Sequence, residues 1–230
     1  MERNIDLNEI SDGRLYGSND MVKADCGSCE GCSACCRGMG SSVVLDPFDV
    51  YRLTTGLQTT FQSLLSRALE LNAVDGIILP NLKMAEEEEV CPFLNEKGRC
   101  SIHPLRPGFC RLFPLGRLYE DGSFRYFLQV KECKKENRSK VKVRKWIDTP
   151  DIKQYEEFVC KWHYFLKDLS NAFGNGRDGK ALSLAKTVSL YILNQFYITP
   201  YDSGEDFYSQ FYRRFREGQE FAASILEKAK

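Results

Sequence analysis

Five of the ten cysteines in this chain lie within eleven residues, at positions 26–36, with the sequence CGSCEGCSACC. A Cys-x-x-Cys step brings two thiolates close enough to bind one metal ion, and here the step recurs and ends in an adjacent pair. This spacing is typical of structural zinc sites and of iron–sulfur clusters. Gly27 and Gly31 provide the backbone freedom that such tight loops need. The stretch therefore predicts a metal centre and leaves the choice between zinc and iron open.

The adjacent pair, Cys35 and Cys36, restricts how the ligands are shared. Consecutive side chains of an extended chain point to opposite faces. We therefore expect either one ligand and one bystander, or two ligands that bind different centres. A disulfide framework is the alternative, and it suits short secreted chains. The 230 residues show no secretory signal near Met1, so we expect a reducing cytoplasm, where clustered cysteines bind metal.

Composition and charge exclude several classes of function. Acidic and basic side chains balance at 32 each, so no overall field would hold the chain on nucleic acid or on a membrane surface. No window approaches the roughly 18 apolar residues of a membrane helix. Only two histidines occur, which excludes a histidine-rich catalytic zinc site. We expect an unidentified protein or small-molecule partner, no membrane and no nucleic acid.

The elements that must position the cysteines predict an α+β fold. Residues 1–25 form a polar segment that we expect to be loosely ordered until the cysteine loop holds it in place. Residues 26–148 form a cysteine-rich metal-binding module of loops and short strands packed against helices. Residues 149–230 form a helical C-terminal region packed on that module, with a break at 174–179 and a last helix whose predicted cap is Ser203.

Within the module, local signals predict individual elements. Residues 41–45 and 76–79 are predicted to form strands. Asp46 and Pro47 begin a helix, and apolar residues at helical spacing predict a second helix from Phe61 to Leu71. Asp121-Gly122 is the predicted turn of a hairpin over 118–130.

A basic run follows this hairpin, with eight lysines and arginines over 131–145 against Glu132 and Glu136. Nucleic-acid binding and counter-charge for a metal centre beside Cys133 are two interpretations of this run. We favour a solvated loop, because the run lacks the aromatic interleaving of a single-strand binder.

Further cysteines follow in short motifs: CPFL from residue 91, CSIH from residue 100 and RPGFCRLFP from residue 106. Together with CxxCxxCC over 29–36, these motifs resemble the YkgJ-type cysteine-cluster family, whose shared domain is described as zinc- or iron-chelating. The resemblance covers residues 26–135, and the late cysteine of that family matches Cys133. The family usually has tyrosine where His103 stands, which leaves open an extra nitrogen ligand here. Cys26 adds a Cys-x-x-Cys step that the family pattern lacks. A ligand set that uses Cys26, Cys29 and Cys32 is therefore also open.

The resemblance and the residues agree on eight candidate metal ligands: Cys29, Cys32, Cys35, Cys36, Cys91, Cys100, Cys110 and Cys133. Arg106 and Arg111 flank them as candidate cofactor-binding residues, because a guanidinium offsets thiolate charge and donates to sulfur or to an anion. A surface salt bridge is the alternative role for each arginine. We expect Cys26 and Cys160 not to be ligands.

Three functions compete. The first is a redox or catalytic iron–sulfur protein, most simply with a [4Fe–4S] cluster. The second is a structural zinc module with two four-cysteine sites, in which the helices bind a partner. The third is a protein lysine N-methylase, because flagellin lysine N-methylases contain a similar cysteine region. The residues favour an iron–sulfur cluster over zinc as the metal centre. They leave open whether the chain is an enzyme.

Overall fold

The computed structural model describes residues 6–27, 29, 32–85, 89–173 and 179–229. These residues form two compact units. The first, here called the cysteine unit, contains residues 6–43 and Lys83–Cys160. The second, here called the helical unit, contains Val44–Leu82 and the described chain from Lys161 onward. Small antiparallel sheets and a helical C-terminal part confirm the α+β class.

The cysteine unit is built on two antiparallel sheets. The strands are β1 (Ser11–Tyr16), β2 (Met21–Asp25), β5 (Leu115–Glu120), β6 (Ser123–Gln129) and β7 (Ser139–Lys142). One sheet has the strand order β1-β6-β5, and the other pairs β2 with β7. Short helices connect these strands: α1 (Leu7–Ile10), α4 (Gly108–Leu112) and α5 (Val143–Ile147).

The predicted hairpin is confirmed as β5 and β6. Asp121 and Gly122 both have positive φ, at 48° and 72°, as the tight hairpin turn requires. One other expectation for this unit is wrong: the end of the basic run is not a loop, because residues 139–147 form β7 and α5. Residues 11–25 are held by sheet pairing, of β1 with β6 and of β2 with β7, and not by the cysteine loop.

Gly116 on β5 lets the Phe127 ring lie directly over the backbone of the neighbouring strand. A Cβ at Gly116 would come within 2.2 Å of the Phe127 ring, and that ring is itself buried. We expect Gly116→Ala to lower the free energy of unfolding by about 1–3 kcal/mol, the usual cost of overpacking. Urea titration would measure this. Gly122→Ala is a comparison at a position with open space around it, where only the backbone conformation opposes the change.

The helical unit combines one hairpin with helices. Its elements are α2 (Pro47–Gly56), α3 (Phe61–Arg67), β3 (Leu69–Val74), β4 (Ile77–Leu82), α7 (Gly179–Leu193) and α8 (Phe207–Ala229). Helix α6 (Ile152–Phe173) begins in the cysteine unit and ends in the helical unit. Aromatic rings fill the core of the helical unit, with Trp162 against Phe196 and Phe211. The predicted break at 174–179 lies outside the described residues except for Gly179.

Capping confirms some helix starts and corrects others. Asp46 accepts a hydrogen bond from the Asp49 amide and begins α2 as predicted. Helix α8 begins after Asp206, which accepts from the Ser209 amide at 2.7 Å, so Ser203 is not its cap. The predicted second helix is also too long, because α3 ends at Arg67 and the chain continues as β3. The predicted strand at 41–45 is reduced to one bridge between Val44 and Asn81.

In the described part of the chain, no helix is both long enough and apolar enough to cross a membrane.

Candidate metal centre

Backbone hydrogen bonds bring Cys36 and Cys91 together, although 55 residues separate them in the sequence. Arg37 and Val90 form an antiparallel bridge, and the Cys91 amide donates to the Cys36 carbonyl at 2.8 Å. Cys35 and Cys36 themselves lie in a short 3₁₀ turn. The expectation of an extended chain at this pair was therefore wrong, and their two sulfurs are neighbours rather than opposed.

A small hairpin brings Cys100 to the same place. Leu94 and Cys100 form an antiparallel bridge, and the Ser101 amide donates to the Phe93 carbonyl at 2.8 Å. Backbone amides near these thiols, those of Phe93 and Leu94 at Cys91 and that of Ile102 at Cys100, favour the thiolate forms, although burial opposes them more strongly. The thiolate is the form that binds metal.

Four cysteines are electrostatic neighbours and are called the doublet group here: Cys35, Cys36, Cys91 and Cys100. A hydrogen bond from the Cys36 thiol lowers the pKa of Cys35 to about 7, against the opposing effect of burial. The same hydrogen bond, with burial and the neighbouring thiols, raises the pKa of Cys36. Burial raises the pKa values of Cys91 and Cys100. Without a metal, this group therefore resists carrying several thiolates at once.

A second set of cysteines borders a small cavity of about 20 Å³ and is called the cavity group here: Cys26, Cys29, Cys32 and Cys133. Cys35 also borders this cavity, and Phe113, Pro114 and Trp146 form its apolar wall. The sulfurs of Cys26 and Cys29 are 3.5 Å apart. Two thiolates on one tetrahedral zinc, each about 2.3 Å from the ion, lie about 3.8 Å apart. The Cys26–Cys29 pair is therefore spaced nearly as two ligands of one ion would be.

Arg106 supplies positive charge to both groups. Its guanidinium favours the thiolate forms of Cys29, Cys35 and Cys100. Its Nε is buried and has no hydrogen-bond partner in the described part of the chain. A buried donor of this kind is costly unless an acceptor is present. A metal-bound thiolate would satisfy it, so Arg106 fits the predicted role of a residue that supports a bound cofactor.

His103 lies next to Arg106, and its Nε2 is 3.1 Å from Arg106 Nη1. Because the guanidinium can only donate, His103 Nε2 accepts this bond. Burial lowers the pKa of His103, and the charges of Arg106, Arg99 and Arg111 lower it further. This nitrogen is therefore engaged by Arg106.

Arg111 has a different environment from Arg106. Its side chain is 4% exposed and donates to backbone carbonyls. Its Nε bonds to Arg106 O at 3.0 Å and its Nη1 to Asp148 O at 2.5 Å, and Nη2 donates to Pro104 O. These bonds tie the loop that contains Arg106 to the end of α5, and they describe a buried structural contact rather than a surface salt bridge.

Cys110 and Cys160 are in neither of these groups. Cys110 lies in α4 directly before Arg111. Cys160 lies on α6, where its thiol donates to the Gly122 carbonyl at 3.1 Å. Cys26 was not expected to be a ligand, yet it borders the cavity. The signal that could have indicated it is the additional Cys-x-x-Cys step at 26–29.

None of the ten cysteines forms a disulfide. Across residues 6–229, apart from the undescribed positions, no three histidine, cysteine or acidic side chains are already arranged to hold one metal ion. The donor types nevertheless suit zinc or iron, because soft thiolates backed by amides and a guanidinium are the environment these metals take in proteins. Binding would require the thiols of each group to converge further.

Comparison with known protein families agrees with this donor chemistry. Residues 28–139 match the family model CxxCxxCC, which is described as "Putative zinc- or iron-chelating domain". The matched range contains every cysteine of both groups except Cys26. No curated protein and no solved structure matches the chain.

Proposed function

Because residues 28–139 belong to the CxxCxxCC family of zinc- or iron-chelating domains, we propose that the cysteine unit holds two neighbouring single-ion thiolate centres. Cys35, Cys36, Cys91 and Cys100 would hold one ion, and Cys26, Cys29, Cys32 and Cys133 the other. The observation that carries this proposal is the division of the thiols into two sets. One set is joined by backbone bridges, and the other surrounds a cavity.

The division of eight thiols into two sets of four supports two single ions over one cluster, because a [4Fe–4S] centre takes four cysteine thiolates in all. Four thiolates in each set would satisfy the tetrahedral preference of zinc, which is therefore the first candidate metal.

The metal would stabilise the cysteine unit. The bound ion neutralises thiolates that burial otherwise disfavours, and it joins segments distant in sequence. The free energy of metal binding at such a site contributes directly to the free energy of folding. The biological role would then be that of a folded module for a protein or small-molecule partner in a reducing cytoplasm, where thiols stay available for metal.

A [4Fe–4S] centre with redox or catalytic work is the second candidate, and the all-cysteine donor set supports it. Protein lysine N-methylation rests on similarity of the cysteine region alone, which is a weak basis for assigning a reaction.

Metal analysis of anaerobically purified protein tests the proposal. We expect about two zinc ions per chain and no visible colour. About four irons and four sulfides per chain, with a broad absorption band at about 400 nm, would overturn it in favour of a cluster.

Variants of Cys26 and Cys110 test the composition of the cavity group. We expect Cys26→Ser to remove about one zinc equivalent and Cys110→Ser to leave the zinc content unchanged, since four ligands complete each centre. The sequence alone predicts the reverse. Cys160→Ser is the matched control, and loss of metal from Cys110→Ser but not from Cys26→Ser would exclude the proposed cavity group.

A further inference from the structure

A large groove lies on the cysteine unit beside the cavity group. Its volume is about 720 Å³, which is in the range of small-molecule sites. Alternate residues of β1 line one side, Asp12, Arg14 and Tyr16, and they share one face of that strand. The other lining residues come from β2, from the end of β6 and from the segment that leads into β7.

The groove concentrates positive charge in a chain whose formal net charge is zero. Five basic side chains line it, against the two acidic residues Asp12 and Glu136; the five are Arg14, Lys23, Lys135, Arg138 and Lys140. Among the described residues, none of these five cations is paired with a carboxylate. Asp12 already accepts from the Tyr16 hydroxyl, so part of the acidic charge is engaged within the wall.

Arg138 provides a more specific indication. Its Nη1 is buried and has no hydrogen-bond partner within the described chain. A buried guanidinium donor without an acceptor is unfavourable, and Arg is the side chain best suited to bind phosphate or carboxylate oxygens. Arg138 lines the groove, and its guanidinium would gain the missing acceptor if it turned toward an anion bound there.

The groove also has an apolar part. Met21 is 49% exposed and Val130 is 37% exposed, and Leu128 lies with them in the lining. Exposed apolar side chains beside cations suit an organic anion rather than a simple inorganic one, because the carbon skeleton can cover them.

Cys133 and Lys135 line both this groove and the small cavity. A molecule bound in the groove would therefore contact a residue of the proposed cavity centre. We propose that the groove binds an organic polyanion with phosphate groups, held by Arg138 and the surrounding lysines next to the thiols. This goes beyond metal binding and does not depend on which metal the thiols hold.

The competing explanation is that the basic side chains only offset the charge of metal-bound thiolates. In that case they would affect metal retention and would not create an anion site. Metal content and anion binding, measured on the same variants, separate the two explanations.

Calorimetric titration of the metal-loaded full chain at about 150 mM salt tests the proposal, with adenosine 3′,5′-bisphosphate as the probe and with adenosine and inorganic phosphate as comparisons. We expect the bisphosphate to bind more tightly than inorganic phosphate, and adenosine not to bind. Arg138→Gln combined with Lys140→Gln should weaken binding at least about tenfold, through loss of charge-assisted bonds. Arg14→Gln with Lys23→Gln should do the same from another part of the wall.

Lys153→Gln with Arg216→Gln removes the same charge from exposed positions outside the groove, and we expect this control to bind the bisphosphate as the wild type does. Metal content should be unchanged in all three double variants. Three results would overturn the proposal: no binding of the bisphosphate at millimolar concentration, equal weakening by the control, or affinity no greater than for inorganic phosphate.

Discussion

Replacing Arg111 with alanine is expected to lower the free energy of unfolding by roughly 3 kcal/mol or more, since a single hydrogen bond to a charged group contributes about 1.5–3 kcal/mol. Arg111 is almost fully buried and donates to the carbonyls of Pro104, Arg106 and Asp148. Alanine would leave these carbonyls without their donor and would release the loop that positions Arg106. Urea titration of the metal-loaded protein would measure the change.

Two further variants make this test specific to the buried hydrogen bonds of Arg111. Arg111→Lys keeps the charge but cannot reproduce the planar fork, so we expect an intermediate loss. Arg125→Ala removes an arginine that is 55% exposed and 4.0 Å from Asp20, and surface pairs of this kind are worth about 0–1 kcal/mol. Equal, small losses from Arg111→Ala and Arg125→Ala would contradict a structural role for Arg111.

Cys36→Ser is expected to remove about one of two zinc equivalents and to destabilise the cysteine unit strongly, because structural zinc contributes folding free energy directly. Cys36 is central to the doublet group, since its thiol has the largest influence on the pKa of Cys35 and its carbonyl accepts from the Cys91 amide. Metal analysis and thermal unfolding of the purified variant would measure both effects.

The matched control is Cys160→Ser, which changes a thiol that donates to the Gly122 carbonyl and lies outside both groups. We expect it to keep the full metal content. A second comparison uses metal-free protein: there Cys36→Ser and the wild type should differ by about 1 kcal/mol or less, since serine retains a donor for the neighbouring sulfur. A large difference without metal would mean that Cys36 acts by packing and not as a ligand.

Local signals in the sequence were sufficient for several elements. Asp46 and Pro47 specify the start of α2 through capping and a fixed φ, and Asp121-Gly122 specifies the β5–β6 turn because both positions need positive φ. Apolar periodicity located α6. The cysteine motifs predicted the family whose model matches residues 28–139, because thiol spacing in a loop is a local property of the chain.

Other features depended on contacts between distant segments. Leu69 and Leu71 continue a helical pattern, yet they lie in β3 because pairing with Leu82 and Pro80 outweighs local propensity. The environment of Arg111 could not be predicted from the sequence either, because its acceptors Ile147 and Asp148 lie 36 and 37 residues further along the chain.

The α+β class and the match to a zinc- or iron-chelating family could be predicted without a structure, since donor type and Cys-x-x-Cys spacing are properties of consecutive residues. Which thiols are neighbours depends on the fold. Cys91 and Cys100 reach Cys36 through a bridge and a small hairpin, and Cys133 meets Cys26, Cys29 and Cys32 across a cavity. Sharing a centre is a matter of distance in space, and spacing along the chain does not specify it once the ligands lie about 100 residues apart.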